Sequence, residues 1–140
     1  MLRRSVFPVL LALAATACDR QRAPDPRPMV QKTLSDMLVY PYSTQVSMTA
    51  GADAAQITLT SVDSAALIAK WFRQALVVNG WTLQSDVTGQ DGAISILATK
   101  GDRPVWITLR PNVGGPGTTY SMIGALPTTT DTAQRRDSVK

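Results

Sequence analysis

Short stretches of the chain alternate apolar and polar residues with a period of two. Gln45-Val46-Ser47-Met48-Thr49 and Gln56-Ile57-Thr58-Leu59-Thr60 flank Gly51-Ala52-Asp53, which predicts a hairpin. The period then lengthens. Ile68, Trp71, Phe72, Ala75 and Leu76 recur at helical spacing with Lys70, Arg73 and Gln74 on the other side, so an amphipathic helix is predicted up to about Asn79. Asp63 or Ser64 caps its start, and Gly80 stops it. Alternation resumes over residues 81–87, turns at 89–92, continues over 93–99, turns at 100–103 and runs through 105–110. The loop at residues 112–117 leads into a last strand, 118–125. The order predicts an α+β domain, ββαβββ(β) in outline, with one long helix packed on a largely antiparallel sheet.

Outside this compact region, expected over residues 40–126, the pattern changes twice. Val30, Leu34, Met37 and Leu38 lie at i, i+4, i+7 and i+8. That spacing predicts a short amphipathic helix over 29–39, with Pro28 suited to its first turn. So short a helix does not hold alone in water and must pack on something. Residues 19–28 carry prolines and charges with almost nothing to bury, and read with Cys18 as a flexible tether over 18–28. Residues 127–140 are polar without periodicity and are expected to be a disordered tail.

The N-terminus reads as an address. Met1-Leu2-Arg3-Arg4 is basic, and residues 6–15 are apolar over about half of the ~20 residues that a membrane-spanning helix needs. A signal peptide over 1–17 is the expectation. Ala15-Thr16-Ala17-Cys18 resembles the lipobox of bacterial lipoproteins, with Ala15 where leucine is commonest. The resemblance implies a diacylglyceryl group on the Cys18 sulfur, cleavage before Cys18, and acylation of the new amino group by a chain such as palmitate. It places the protein in the cell envelope, anchored to a bacterial membrane and facing the periplasm or exterior. Ala15-Thr16-Ala17 also satisfies ordinary A-x-A secretory cleavage, which would leave Cys18 a free thiol.

A second resemblance lies in the compact region. Tyr40-Pro41, Trp71-Phe72, Leu76, Gly80 and Trp81 resemble the spacing of a small module that recurs in exported and lipid-anchored bacterial proteins. These are packing and turn residues, so the resemblance implies a fold and no activity.

Composition narrows the chemistry. The chain has no histidine and no glutamate; its 10 acidic residues are all aspartates, and Cys18 is its 1 cysteine. Ser-His-Asp and Cys-His nucleophiles, histidine-containing zinc sites, thiolate clusters and intrachain disulfides are excluded. No S-x-x-K occurs. Asp86 and Asp91 flank a glycine turn without calcium-loop spacing. Asp53, Asp63, Asp86, Asp91 and Asp102 are all expected at turns or a cap. Gly114, Gly115 and Gly117 are not followed by the lysine of a phosphate loop. No catalytic residue, metal or cofactor is expected, and the protein is not expected to be an enzyme. The net charge of +4 belongs to the ends. Between Tyr40 and Leu126, Lys70, Arg73, Lys100, Arg103 and Arg110 balance those same aspartates, so no basic stripe exists for nucleic acid.

One feature points to recognition. Val105, Ile107 and Leu109 share a strand face, which leaves Trp106 on the other, and Leu97 and Ile123 are similarly out of phase with their neighbours. If these strands are adjacent, Leu97, Trp106 and Ile123 form an apolar patch on the face away from the long helix, suited to a partner or a dimer. The favoured expectation is that the 29–39 helix covers this patch, because that helix also needs a surface. The function expected is a lipid-anchored, non-catalytic envelope protein that recognises or scaffolds another envelope component, with the Trp106 face and the 114–117 loop as contact sites. A structural or stress-related lipoprotein without a dedicated ligand is the alternative, and an unrecognised envelope enzyme is the third reading.

Overall fold

The computed structural model describes residues 23–127. The expected signal peptide, Cys18 and nearly all of the expected tail lie outside the described residues. The order is α1 (Arg27–Thr33), β1 (Thr44–Ala50), β2 (Ala54–Ser61), α2 (Ala65–Val78), β3 (Thr82–Thr88), β4 (Ile94–Lys100), β5 (Arg103–Pro111) and β6 (Thr118–Ala125). The strands form one antiparallel sheet in the order β1-β2-β6-β5-β4-β3. The fold is α+β. The first hairpin and the β3–β6 meander were legible from alternation; the β2–β6 pairing that joins them was not.

The ends of α2 follow from local chemistry. The Ser64 hydroxyl accepts the Leu67 N–H, occupying one of the donors that a helix start leaves free. At the other end Gly80 adopts φ +78, and the Trp81 and Gly80 N–H groups donate to the Leu76 and Val77 carbonyls. This is a Schellman stop, which requires a left-handed residue at the glycine position. The helix buries Ala65, Ile68, Ala69, Phe72 and Leu76. Arg73, expected outward, instead turns half-buried toward β3 and pairs with Asp86.

Cross-strand register sorts the inner face of the sheet into rows. Ile57, Met122, Ile107 and Ile96 form one row; Leu59, Tyr120, Leu109 and Ile94 form the next. Both are buried. Tyr40, Trp71, Phe72 and Tyr120 chain edge to face, with successive ring centroids 5.5, 5.0 and 5.5 Å apart. The third row is built of small residues: Ala50, Ala55, Gly124, Val105 and Ala98. Small side chains leave a shallow trough there, and the N-terminal segment fills it.

This arrangement corrects an expectation. α1 packs on β1, β2 and β6, whereas α2 packs on β3, β4 and β5. Gly124 meets the end of α1 and belongs to the inner rows, so both helices share one face. The N-terminal helix therefore does not cover Trp106. It is also shorter than 29–39 and starts earlier. Thr33 Oγ1 donates to the Met29 carbonyl, Leu34 caps the helix, and Asp36 takes φ +67, which turns the chain away. Leu34 is buried, but Leu38, expected on the same helical face, is exposed.

Candidate functional site

Two places bring unusual side chains together, one on each side of the sheet. On the outer face, Leu97 pairs with Trp106 and Trp106 with Ile123. The three predicted patch residues thus stand in one cross-strand row. Leu97 and Ile123 are half-buried, and Trp106 is 41% exposed. One bordering row is Ser95, Thr108, Ser121 and Thr58, so hydroxyl groups line one side of the indole; Thr99 and Pro104 border the other. No helix among the described residues packs on this side. Val105, Ile107 and Leu109, expected on the opposite face, are fully buried.

The Asn112–Thr118 connection is more ordered than its glycines suggest. Asn112 bonds across it to the Gly117 and Pro116 carbonyls, and Thr119 Oγ1 donates to Asn112 Oδ1. Gly117, at φ +91, lies against the Ser61 carbonyl and Val62, whereas Gly114 and Gly115 meet nothing within 4 Å. Only the tip of the expected contact loop is therefore free.

On the inner side, the segment after α1 is fastened to the end of the sheet. Arg103 Nη2 donates to the Ser35 carbonyl at 2.7 Å, and its guanidinium lies 5.7 Å from the Trp81 ring centroid. Asp36 faces both Arg103 and Lys100, at 3.6 and 3.7 Å. Trp81 is only 3% exposed, and its Nε1 has no hydrogen-bond partner among the described residues. It borders a recess lined also by Met37, Leu38, Phe72 and Asn79. The recess has a volume of about 10 Å³, the space of one water and far below the roughly 300 Å³ at which small-molecule pockets begin. The inner face is thus filled by the protein's own side chains. Sequence reasoning missed this cluster, because Ser35, Asp36, Trp81, Lys100 and Arg103 come from separate segments.

The aspartates divide differently from expectation. Asp86 is not a turn residue; it lies within β3 on the α2 side. Arg73 donates to both its oxygens, holding its carboxyl below the ordinary value and the Arg73 guanidinium above its own. Asp63 accepts the Tyr40 hydroxyl at 2.7 Å, and that bond, with burial, raises the Tyr40 phenol above 10.0. Asp91 closes the β3–β4 turn by accepting the Ala93 N–H. Among the described residues no group of three or more acidic or thiol side chains could hold a metal ion. No helix among them is long and apolar enough to cross a membrane.

A family model described as START domain-like matches residues 42–122, from just before β1 into β6. No curated protein and no solved structure matches the chain.

Proposed function

The chain belongs to the START domain-like family, and on that premise we propose that it is a non-catalytic binding module of the bacterial cell envelope. In this reading a lipid on Cys18 holds it to the membrane, and the open sheet face around Trp106 recognises another envelope component. START-like domains are generally binding rather than catalytic domains. The lipobox-like Ala15-Thr16-Ala17-Cys18 supports the anchor.

The single observation that carries the choice of surface is the sharing of one sheet face by α1 and α2. With the inner face full, the other side offers the broad accessible surface, and its centre is a tryptophan. Tryptophan is the residue type most enriched where binding energy concentrates, because a rigid ring buries much area at little entropic cost. Its hydroxyl-bearing neighbours can accept or donate hydrogen bonds around that anchor.

Affinity capture with the anchored protein, repeated with Trp106→Ala, tests the reading. A reproducible partner that disappears in the variant supports it. No partner under any condition overturns it in favour of a structural lipoprotein without a dedicated ligand. Cys18→Ser followed by membrane fractionation tests the anchor separately: a variant that stays in the membrane after signal removal overturns lipidation.

A further inference from the structure

We propose that the outer sheet face around Trp106 is a two-fold interface whose occupant is a second copy of this chain. This rests on the reading above of that face as a recognition surface, and names the component that it recognises.

The face is continuous over all six strands. Thr49, Gln56, Ile123, Trp106, Leu97 and Ser85 stand in one cross-strand row. The adjoining row runs from Ser47 to Val87 and bears a hydroxyl at every position but the last. Arg110 is the only charged residue among the outward strand positions. The other charges of the strands, Asp86, Lys100 and Arg103, fall on the inner side, where Arg73 and Asp36 meet them.

That chemistry is complementary to itself. A two-fold contact sets the groups of one face against the same groups of its copy. Charged side chains repel under such symmetry and need a different surface to neutralise them. Hydroxyl groups and carboxamides both donate and accept, so each can satisfy another of its kind. Indole rings pair with one another edge to face or offset. Apart from Arg110, the outer face consists of such groups and of aliphatic ones.

Its layout and size agree. Trp106 with half-buried Leu97 and Ile123 makes an apolar centre, and Gln56, Ser85 and the hydroxyl row lie toward the rim, the usual anatomy of a protein interface. The 6 strands, of 7 to 9 residues, give a face of roughly 24 by 24 Å at ordinary strand spacing and rise. Two copies stacked on it bury on the order of 1,200 Å² in total, the lower bound for specific interfaces.

Pairing through a sheet edge is the other way in which two such domains meet. Both edge strands carry a register shift, β1 between Gln45 and Ser47 and β3 between Leu83 and Ser85. Such irregularities turn an edge away from a partner strand. The pairings β2–β6, β6–β5 and β5–β4 run without a shift, so the face stays regular where the edges do not.

The test uses the full lipidated protein in detergent, with micelles in large excess so that two copies rarely share one. Sedimentation equilibrium of the parent is expected to show monomer and dimer exchanging between about 1 and 100 µM. Trp106→Ala is expected to weaken the dimer at least about tenfold. Val78→Ala, at an exposed position on α2, leaves it unchanged. Ser121→Lys and Ser121→Asp each place a charge beside the apolar centre. Each alone is expected to be monomeric, whereas an equimolar mixture of the two restores the dimer. Circular dichroism separates loss of the dimer from loss of the fold, and Trp106→Ala decides the matter where a charged variant unfolds.

A parent that stays monomeric throughout this range overturns the second copy as occupant. Trp106-dependent capture of another component, protein or polysaccharide, then leaves the recognition reading standing, and no capture overturns both. A dimer indifferent to position 106 and to the mixed charges belongs to another surface, and likewise overturns the proposal.

Discussion

Gly124 of β6 lies against the Thr33 carbonyl oxygen at the end of α1, which stands 2.6 Å from where a Cβ on that glycine would be. The Leu34 Cδ2 is 2.8 Å from the same point. In an ordinary strand, alanine is more stable than glycine by roughly 0.5–1 kcal/mol. Here Gly124→Ala is expected to destabilise by about 1–3 kcal/mol, because the added methyl must push α1 out of its trough. Chemical denaturation of the two proteins checks the sign.

The 112–117 loop offers a paired contrast. Gly117→Ala meets both a positive φ and the Ser61 backbone, and a loss of about 2 kcal/mol is expected. Gly115→Ala has open space and no positive φ, so it should stay within about 0.5 kcal/mol of the parent. Thermal midpoints of the two variants separate a packed glycine from a permissive one.

Tyr40 and Asp63 give a titration prediction. The hydrogen bond to Asp63 and burial raise the folded phenol above 10.0, which favours the neutral form in the folded state. The resulting stability is fully present below pH 10 and is lost as pH rises through the folded value. Asp63→Asn should bring the Tyr40 transition back toward 10.0 in an absorbance titration. Tyr40→Phe should cost about 0.5–1.5 kcal/mol at neutral pH.

Arg73 and Asp86 behave in the opposite sense. The guanidinium bond lowers the folded Asp86 value below 3.8, so its contribution is present above pH 4 and is lost as pH falls through the folded value. Both side chains are about one-third exposed, and solvent screening limits the pair to about 0.5 kcal/mol. The stability gap between the parent and Asp86→Asn should be measurable at pH 7 and close below pH 4.

Trp106→Ala should leave the fold intact. The side chain is half open to solvent and contributes cross-strand packing with Leu97 and Ile123, worth about 0.2–1 kcal/mol per pair. Circular dichroism indistinguishable from the parent, with a denaturation midpoint only slightly lower, makes the variant usable for the capture experiment.

The limits of sequence reading show at Gln84 and Val46. Simple alternation through residues 81–87 makes Leu83 and Val87 share a face. The register shift between Leu83 and Ser85 breaks the phase, placing Asp86 toward α2 and leaving Val87 exposed. A shift between Gln45 and Ser47 likewise leaves Val46 in solvent. A bulge is one extra residue in a ladder, and the ladder's other strand lies elsewhere in the chain. Local pattern carries no record of it.

The amino-acid sequence by itself determined the strands, the span and stop of α2, the placement of Val105, Ile107 and Leu109 opposite Trp106, and the absence of histidine chemistry. Those features depend on periods of 2 and 3.6 residues, on caps, and on residue identity, all of which act over a few positions. Tertiary structure alone decided that α1 shares a face with α2. That outcome depends on β2 pairing with β6 and on the small residues Ala50, Ala55 and Gly124 aligning beneath α1. Segments far apart in sequence had to meet before a surface existed for α1 to choose, and that choice left Trp106 uncovered.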